Sequence, residues 1–133
     1  MTKCFQAVVP DVYRDIYAHY EYAPAVRVGD DIHVSGIVGA NPDFSIPEDY
    51  DAQIANIFGL LEAILAEAGA TLADVHSLVS YHVGDLPAQM SGFIRAKTER
   101  LGEPHPSWTA VGVTQLAVPG AMIEVSAQAR LRG

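Results

Sequence analysis

The sequence has one cysteine and few charged residues, and these shortages exclude several classes of protein. Cys4 alone forms no internal disulfide, which favours a reducing compartment. The five histidines form no close pairs and have no further cysteine as partner, so no metal site is expected. Neither the GxGxxG pattern nor the P-loop spacing occurs, and we expect no cofactor.

Long hydrophobic runs are also absent, and basic residues are scarce. No apolar run is long enough to cross a bilayer, and the first residues lack the apolar core of a signal peptide. Eight Lys and Arg residues stand against 16 Asp and Glu, a net charge of −8 that repels phosphate backbones. Glu99 and Glu103 interrupt the one basic group, which is formed by Arg95, Lys97 and Arg100. We therefore expect a cytoplasmic protein that binds neither nucleic acid nor membrane.

The residues that are present indicate one folded domain. Half of the 133 residues are hydrophobic and 18% are charged, which excludes a disordered chain. A chain of this length buries a sizeable core as a single compact unit. The low charge further indicates that other subunits cover part of the surface.

Periodicity after the first 22 residues predicts the element order β-β-α-β-α-β-β. The segments AVRV and DIHVSG read as strands around a tight turn at Gly29-Asp30. A strand in VHSLVSYHV separates two helices, and two strands follow at 107–115 and 121–131, joined by a turn at Pro119-Gly120. We predict an α+β fold with one mixed sheet and two helices on one face. The other sheet face is then bare, and self-association is the simplest way to cover it.

Capping residues and apolar spacing predict where the helices begin and which faces they bury. Ser45 and Glu48 have the spacing of a capping box before the first helix, and Gly69 suits its end. Asp85 precedes the second helix, whose first turn contains Pro87. The first helix places five apolar residues on one face, namely Ile54, Ile57, Leu61, Ile64 and Leu65.

Residues 1–22 are predicted to form an N-terminal arm that precedes a single domain at 23–133. Tyr13, Tyr17 and Tyr20 fall at helical spacing, so a short helix and an irregular arm both fit. We interpret the arm as an apolar edge packed on the domain rather than as a recognition patch.

Two residues near the end of the chain do not suit a plain sheet. Glu124 is a lone acid in an uncharged run, and strand alternation separates it from the apolar face of Ile123 and Val125. Periodicity by itself favours a solvated Glu124. Trp108, the only tryptophan, shares its strand face with Ala110, which leaves room either for a ligand or for packing of the ring.

Three further positions are weaker candidates for contact with a substrate. Thr109 offers a hydroxyl, and the backbone around Ala110 offers amide donors. His105 lies between two prolines before the strand of Trp108 and could reach the mouth of a site there, although a solvated loop histidine is the simpler interpretation.

Three segments, in this order and spacing, resemble the YjgF/Rid family of reactive intermediate deaminases. They are YAPAVRVGDDIHVSG, DAQIANIFGLLEAILAEAGATLADV and PSWTAVGVTQLAVPGAMIEVSAQA. The resemblance covers about residues 22–131. It implies a chorismate-mutase-like fold that assembles as a homotrimer, with small-molecule sites in clefts between subunits.

The resemblance also implies roles for particular residues. In deaminating relatives, an arginine in a Pro-Ala-Arg-Ser type motif clamps the carboxylate of an imine or enamine, and a glutamate of the last strand helps to activate water. Carried over, Glu124 is the catalytic residue, and Tyr22, Ser35 and Gly36 shape the cleft. Trp108 stands where the arginine is expected. Since an indole has one donor and an apolar face, the exchange favours flat neutral or cationic ligands.

Three functions follow from these expectations. The first is hydrolysis of a small imine, enamine or related compound, with Glu124 assisting water. The second is a non-catalytic binding or sensing protein that uses a cleft lined by Trp108. The third is the endoribonuclease or translation-inhibitor activity found as a label among relatives, and the acidic charge argues against it.

Overall fold

The computed structural model describes residues 2–133, which form one six-stranded sheet and three α-helices. The strands are β1 (Gln6–Val8), β2 (Ala25–Val28), β3 (Asp31–Val38), β4 (Val75–His82), β5 (Ser107–Gly112) and β6 (Ile123–Arg130). The helices are α1 (Arg14–Tyr20), α2 (Tyr50–Glu67) and α3 (Leu86–Leu101). The predicted α+β class and the seven predicted elements are confirmed. β1 and α1 are added in front of them.

The strand order is β1-β2-β3-β6-β4-β5, and every neighbouring pair is antiparallel except β4 with β5. The sheet is therefore mixed, as predicted. The last two strands of the chain are not neighbours, because β4 lies between them. The turn at Pro119-Gly120 therefore belongs to a connection that passes over β4 from β5 to β6. The 117–119 segment of this connection lines the same cavity as the end of β3.

The core lies between the sheet and the long helices. Alternate β6 residues are fully buried, and the five apolar residues predicted for one face of α2 are all less than 4% exposed. Full burial of one such side chain contributes roughly 1.5–3 kcal/mol. The β6 residues between them, which include Glu124, consequently point to the opposite face of the sheet.

The helix starts confirm one prediction and correct another. Asp85 accepts a hydrogen bond from Ala88 N at 3.3 Å and caps α3, as predicted. The capping box at Ser45 and Glu48 is wrong, because α2 begins at Tyr50 and Asp49 accepts from Ala52 N at 3.0 Å. Ser45 instead bonds to Asp43 in a turn ahead of the helix. Asp49 caps the helix because it directly precedes the first helical residue, Tyr50.

The N-terminal residues take part in the fold. β1 pairs with β2 in the register Gln6↔Arg27 to Val8↔Ala25, and α1 is the short helix that the tyrosine spacing allowed. Tyr13 is buried within the apolar core, whereas Tyr17 and Tyr20 are exposed. This segment therefore places aromatic side chains beside the end of β3, where the candidate site lies.

Candidate functional site

A cavity of about 780 Å³ lies beside the end of β3. Pairing of β2 with β3 stops at Ala25↔Val34, so residues 35–38 have no strand neighbour on that side. The register between β3 and β6 also shifts between Val34 and Ile37, which marks a bulge at Ser35 and Gly36. Bulges re-aim side chains and end pairing, and this one opens space between the sheet, α1 and α2.

The cavity wall is mostly apolar and comes from several parts of the chain. α1 and the turn before it provide Tyr13, Ile16 and Tyr20, and the segment after α1 provides Tyr22. The 40–46 loop provides Asn41, Phe44 and Ile46, and α2 provides Asn56 and Leu60. The end of β3, Val118 and Glu124 complete the wall.

Glu124 lies in the sheet between Val38 of β3 and Tyr81 of β4. Its carboxylate sits against Gly36: a Cβ at that position would lie 2.5 Å from Glu124 Oε2. A glycine is therefore required for this close approach. Burial raises the pKa of Glu124 above its ordinary value of 4.5.

Tyr22 and Ser35 stand close to Glu124 and have different tasks. Burial, followed by the nearby Glu124 and Tyr20, raises the pKa of Tyr22, so its phenol stays protonated at neutral pH. Ser35 Oγ donates to Ala23 O at 2.7 Å, and Ser35 N donates to Pro24 O at 2.9 Å. Ser35 thus anchors the segment that carries Tyr22. The structure brings together four residues proposed from the sequence: Tyr22, Ser35, Gly36 and Glu124.

Trp108 lies on the other face of the sheet. In the β4–β5 register it pairs with the buried Leu78, whereas Glu124 pairs with Tyr81 on the open face. Its ring lies 5.5 Å from the ring of Phe93, and Lys97 Nζ lies 5.2 Å from its ring centroid. A single chain therefore does not bring Trp108 and Glu124 into one cavity, and a cleft with both residues needs two chains.

The indole of Trp108 begins a chain of buried hydrogen bonds. Trp108 Nε1 donates to Ser80 Oγ at 2.8 Å, and Ser80 Oγ lies 2.7 Å from His82 Nε2. On the other side of the ring, Gln89 Oε1 lies 3.1 Å from His82 Nδ1, and Gln89 Nε2 donates to Val83 O. The Tyr50 hydroxyl lies 3.4 Å from the same nitrogen, farther away than Gln89 Oε1. Because Gln89 Oε1 only accepts, we assign the proton of the neutral ring to His82 Nδ1. Ser80 then donates to Nε2, and Trp108 has its one donor engaged inside the protein.

This network predicts a loss of stability in mild acid. Burial lowers the pKa of His82 below its ordinary value of 6.5, so the unfolded chain takes up a proton at a higher pH than the folded chain. The contribution of neutral His82 to stability is then fully present above pH 6.5, and it is lost as the pH falls towards the pKa of the folded state. We expect wild-type protein to lose more unfolding free energy than His82→Gln between about pH 7.5 and about pH 5.5 in urea titrations. A His33→Gln control at an exposed position retains the wild-type slope, whereas an unchanged slope in His82→Gln would contradict this assignment.

The remaining candidates lie away from the cavity. Thr109 is exposed on the open sheet face, where it pairs with Val79 of β4. Ala110 pairs with Ser80 on the helix-covered face. His105 is exposed, and its Nε2 lies 3.7 Å from Glu103 Oε1. None of the three lines the cavity of Glu124.

The sequence did not identify several residues that line the cavity. Asn56 Nδ2 donates to Gly39 O at 3.1 Å and to Asn41 Oδ1 at 2.9 Å, and so ties α2 to the 40–46 loop. Phe44 is 53% exposed and has a positive φ of 69°. An exposed phenylalanine in a turn-rich segment was a signal for a wall residue, because exposed aromatic side chains often mark binding surfaces.

The described part of the chain contains no group of three or more His, Cys, Asp or Glu residues that could hold a metal ion. Within residues 2–133, no helix is both long enough and apolar enough to cross a membrane.

Comparison with known proteins places the chain in a family. The Endoribonuclease L-PSP family model matches residues 13–131. The RutC family protein YjgH of Escherichia coli is 38% identical over 126 residues, which are 94% of each chain. A solved structure of a protein named YJGH has a TM-score of 0.87 at 36% identity, over 98% of this chain and 99% of that one. Rv2704 of Mycobacterium tuberculosis, from the YjgF/YER057c/UK114 family, has a TM-score of 0.80 at 27% identity, over 96% and 99%. The chain therefore belongs to the YjgF/Rid family.

Proposed function

We propose that the protein hydrolyses a small imine or enamine in the Glu124 cavity, with Glu124 assisting the attacking water. One observation carries the proposal: a carboxylate with a pKa raised by burial lies in a large apolar cavity beside a protonated phenol. A raised pKa makes a carboxylate a stronger base at neutral pH and so suits it to general-base catalysis. Family membership supports the same reaction class.

The reaction follows from these groups. Glu124 accepts a proton from water while the water oxygen forms a bond to the imine carbon. The C=N π electrons move to nitrogen, which takes up the proton that Glu124 accepted. In the resulting carbinolamine the hydroxyl proton passes through Glu124 to nitrogen as the C–N bond breaks and a C=O bond forms, so that one imine and one water give one carbonyl compound and one amine or ammonia. The phenol of Tyr22 can donate a hydrogen bond to the substrate or the water.

Assembly as a homotrimer is part of the proposal. The open sheet face carries the partly exposed Val79 and the 38% exposed Val111 beside polar residues. A second copy on this face would cover them. Sedimentation equilibrium is then expected to give three times the 14.3 kDa chain mass. A monomer at all concentrations would remove this part of the proposal.

A binding or sensing function in a cleft lined by Trp108 has less support. The indole donor is engaged with Ser80, and the ring packs against Phe93 and Lys97. The apolar wall and the carboxylate around Glu124 serve a binding protein equally well. The two functions therefore share one cavity and differ in turnover.

Loss of turnover in Glu124→Gln is the test. The variant preserves the shape of the side chain and removes the base, so hydrolysis of a preformed alkyl imine should fall about 100-fold or more. Turnover is measured as the rate at which amine is released from the imine, corrected for the uncatalysed rate. Glu67→Gln, at an exposed position on α2, serves as the matched control and should retain wild-type turnover. Equal rates in wild type and Glu124→Gln would remove Glu124 from the mechanism.

A further inference from the structure

The charge of the cavity wall has one sign. Among the described side chains that line it, Glu124 is the one carboxylate, and the lining includes no lysine, arginine or histidine. An anionic ligand would meet the Glu124 carboxylate without a compensating cation from the same chain. Two like charges at close range in a partly buried site repel each other more strongly than they do in water.

The Glu124 carboxylate is also without a partner. Burial is the one cause that raises its pKa, and no cation of residues 2–133 forms an ion pair with it. No side-chain oxygen sealed inside the described part of the chain lacks a hydrogen-bond partner. The unpaired oxygens of Glu124 are therefore open to the cavity, where a ligand cation can reach them.

The polar donors of the wall are largely engaged within the protein. Both hydrogen bonds from Asn56 Nδ2 go to protein oxygens, and the Ser35 hydroxyl donates to Ala23 O. One hydrogen bond from Asn41 Nδ2 goes to Ser45 Oγ. Apart from the tyrosine hydroxyls, a carboxylate ligand would thus find few free side-chain donors and no cationic one, which leaves the site poorly suited to anions.

Aromatic rings supply the complementary surface. Tyr20 is 69% exposed, Tyr22 is 41% exposed and Phe44 is 53% exposed, and all three line the cavity. Ring faces attract cations and also bury apolar groups. A carboxylate among aromatic rings is a combination that recognises organic ammonium groups.

We infer that the cavity selects ligands with a cationic nitrogen on an apolar group, as in an alkyl or aryl ammonium ion or a protonated imine. This inference rests on the site of the proposed function and names its substrate class. A protonated imine would pair with Glu124, and its carbon would lie next to the water that Glu124 activates. The amine product would carry the same charge and bind to the same group.

Three probes of similar size and different charge test the inference. Benzylamine, benzyl alcohol and benzoate are titrated into the protein at neutral pH by calorimetry. Benzylamine should bind about tenfold or more tightly than benzyl alcohol, and benzoate should bind most weakly. Equal or tighter binding of benzoate would overturn the inference, as would an absence of benzylamine binding up to about 10 mM.

Two variants locate the interaction. Glu124→Gln should weaken benzylamine binding about tenfold or more and change benzyl alcohol binding less than about twofold. Gly36→Ala should also weaken benzylamine binding, because the added Cβ would overlap the carboxylate. Glu67→Gln should leave all three affinities unchanged. Retention of benzylamine affinity in Glu124→Gln would overturn the inference.

The outcome separates this inference from the proposed function. Hydrolysis that depends on Glu124, without preference for benzylamine, would sustain the function and reject the substrate class. Benzylamine binding through Glu124, without turnover of any imine, would sustain the ligand class and reject the hydrolase.

Discussion

Replacement of Gly39 with alanine is expected to lower the free energy of unfolding by about 3 kcal/mol or more. A Cβ at Gly39 would lie 2.2 Å from Gln53 O and 2.6 Å from Gln53 Cα. Both are backbone atoms of α2, so no flexible side chain can move aside. The strand end and the helix must separate, which disturbs the adjacent Ala40 and Asn41 of the cavity wall.

Gly59→Ala is the matched control for this substitution. Gly59 lies inside α2, and a Cβ there meets nothing within 4 Å. Alanine is the better helix former, so this change should stabilise the protein by up to about 1 kcal/mol. Urea unfolding of the two variants gives the comparison. Similar stabilities for Gly39→Ala and Gly59→Ala would show that β3 and α2 do not approach as described.

Replacement of Gln53 with methionine is expected to destabilise the protein by about 3 kcal/mol. Gln53 is fully buried, and its Nε2 donates to Pro47 O at 2.8 Å and to Gly120 O at 3.1 Å. Its Oε1 accepts from Met122 N at 2.9 Å. Methionine has a similar length but no donor or acceptor of this strength, so buried backbone groups lose their partners at about 1–3 kcal/mol each.

This side chain also connects two parts of the cavity wall. Pro47 follows Ile46, and Gly120 follows Pro119, and both Ile46 and Pro119 line the cavity. Gln53→Met should therefore loosen the site as well as the fold. Gln128→Met on the exposed part of β6 should change stability by less than about 0.5 kcal/mol. A stable Gln53→Met variant would show that these three hydrogen bonds contribute little.

Most of the fold could be predicted because local pattern and tertiary structure agree. Alternation in β6 and the apolar spacing in α2 each gave the buried face correctly. The predicted cap at Ser45 was wrong because α2 begins later, at Tyr50, where Asp49 accepts from Ala52 N, and Ser45 bonds to Asp43 in the preceding turn. β1 was not predicted because its three residues become a strand only by pairing with β2.

The site could be predicted only in part, because part of it depends on long-range strand pairing and packing. Tyr22, Ser35, Gly36 and Glu124, the residues that the family resemblance pointed to, line one cavity, and their roles stay predictions. The separation of Trp108 from Glu124 depends on the registers of β5 and β6 with β4, which no local pattern encodes. The contribution of α1 to the wall depends on the same kind of long-range packing.

Carbon-13 NMR titration of the Glu124 side-chain carboxyl, with and without benzylamine, tests the central claim most directly. An unpaired carboxylate that faces an apolar cavity should titrate with a midpoint above 4.5. Bound benzylamine should lower this midpoint, because a nearby cation favours the charged carboxylate. A midpoint at or below 4.5 that benzylamine does not move would contradict the account.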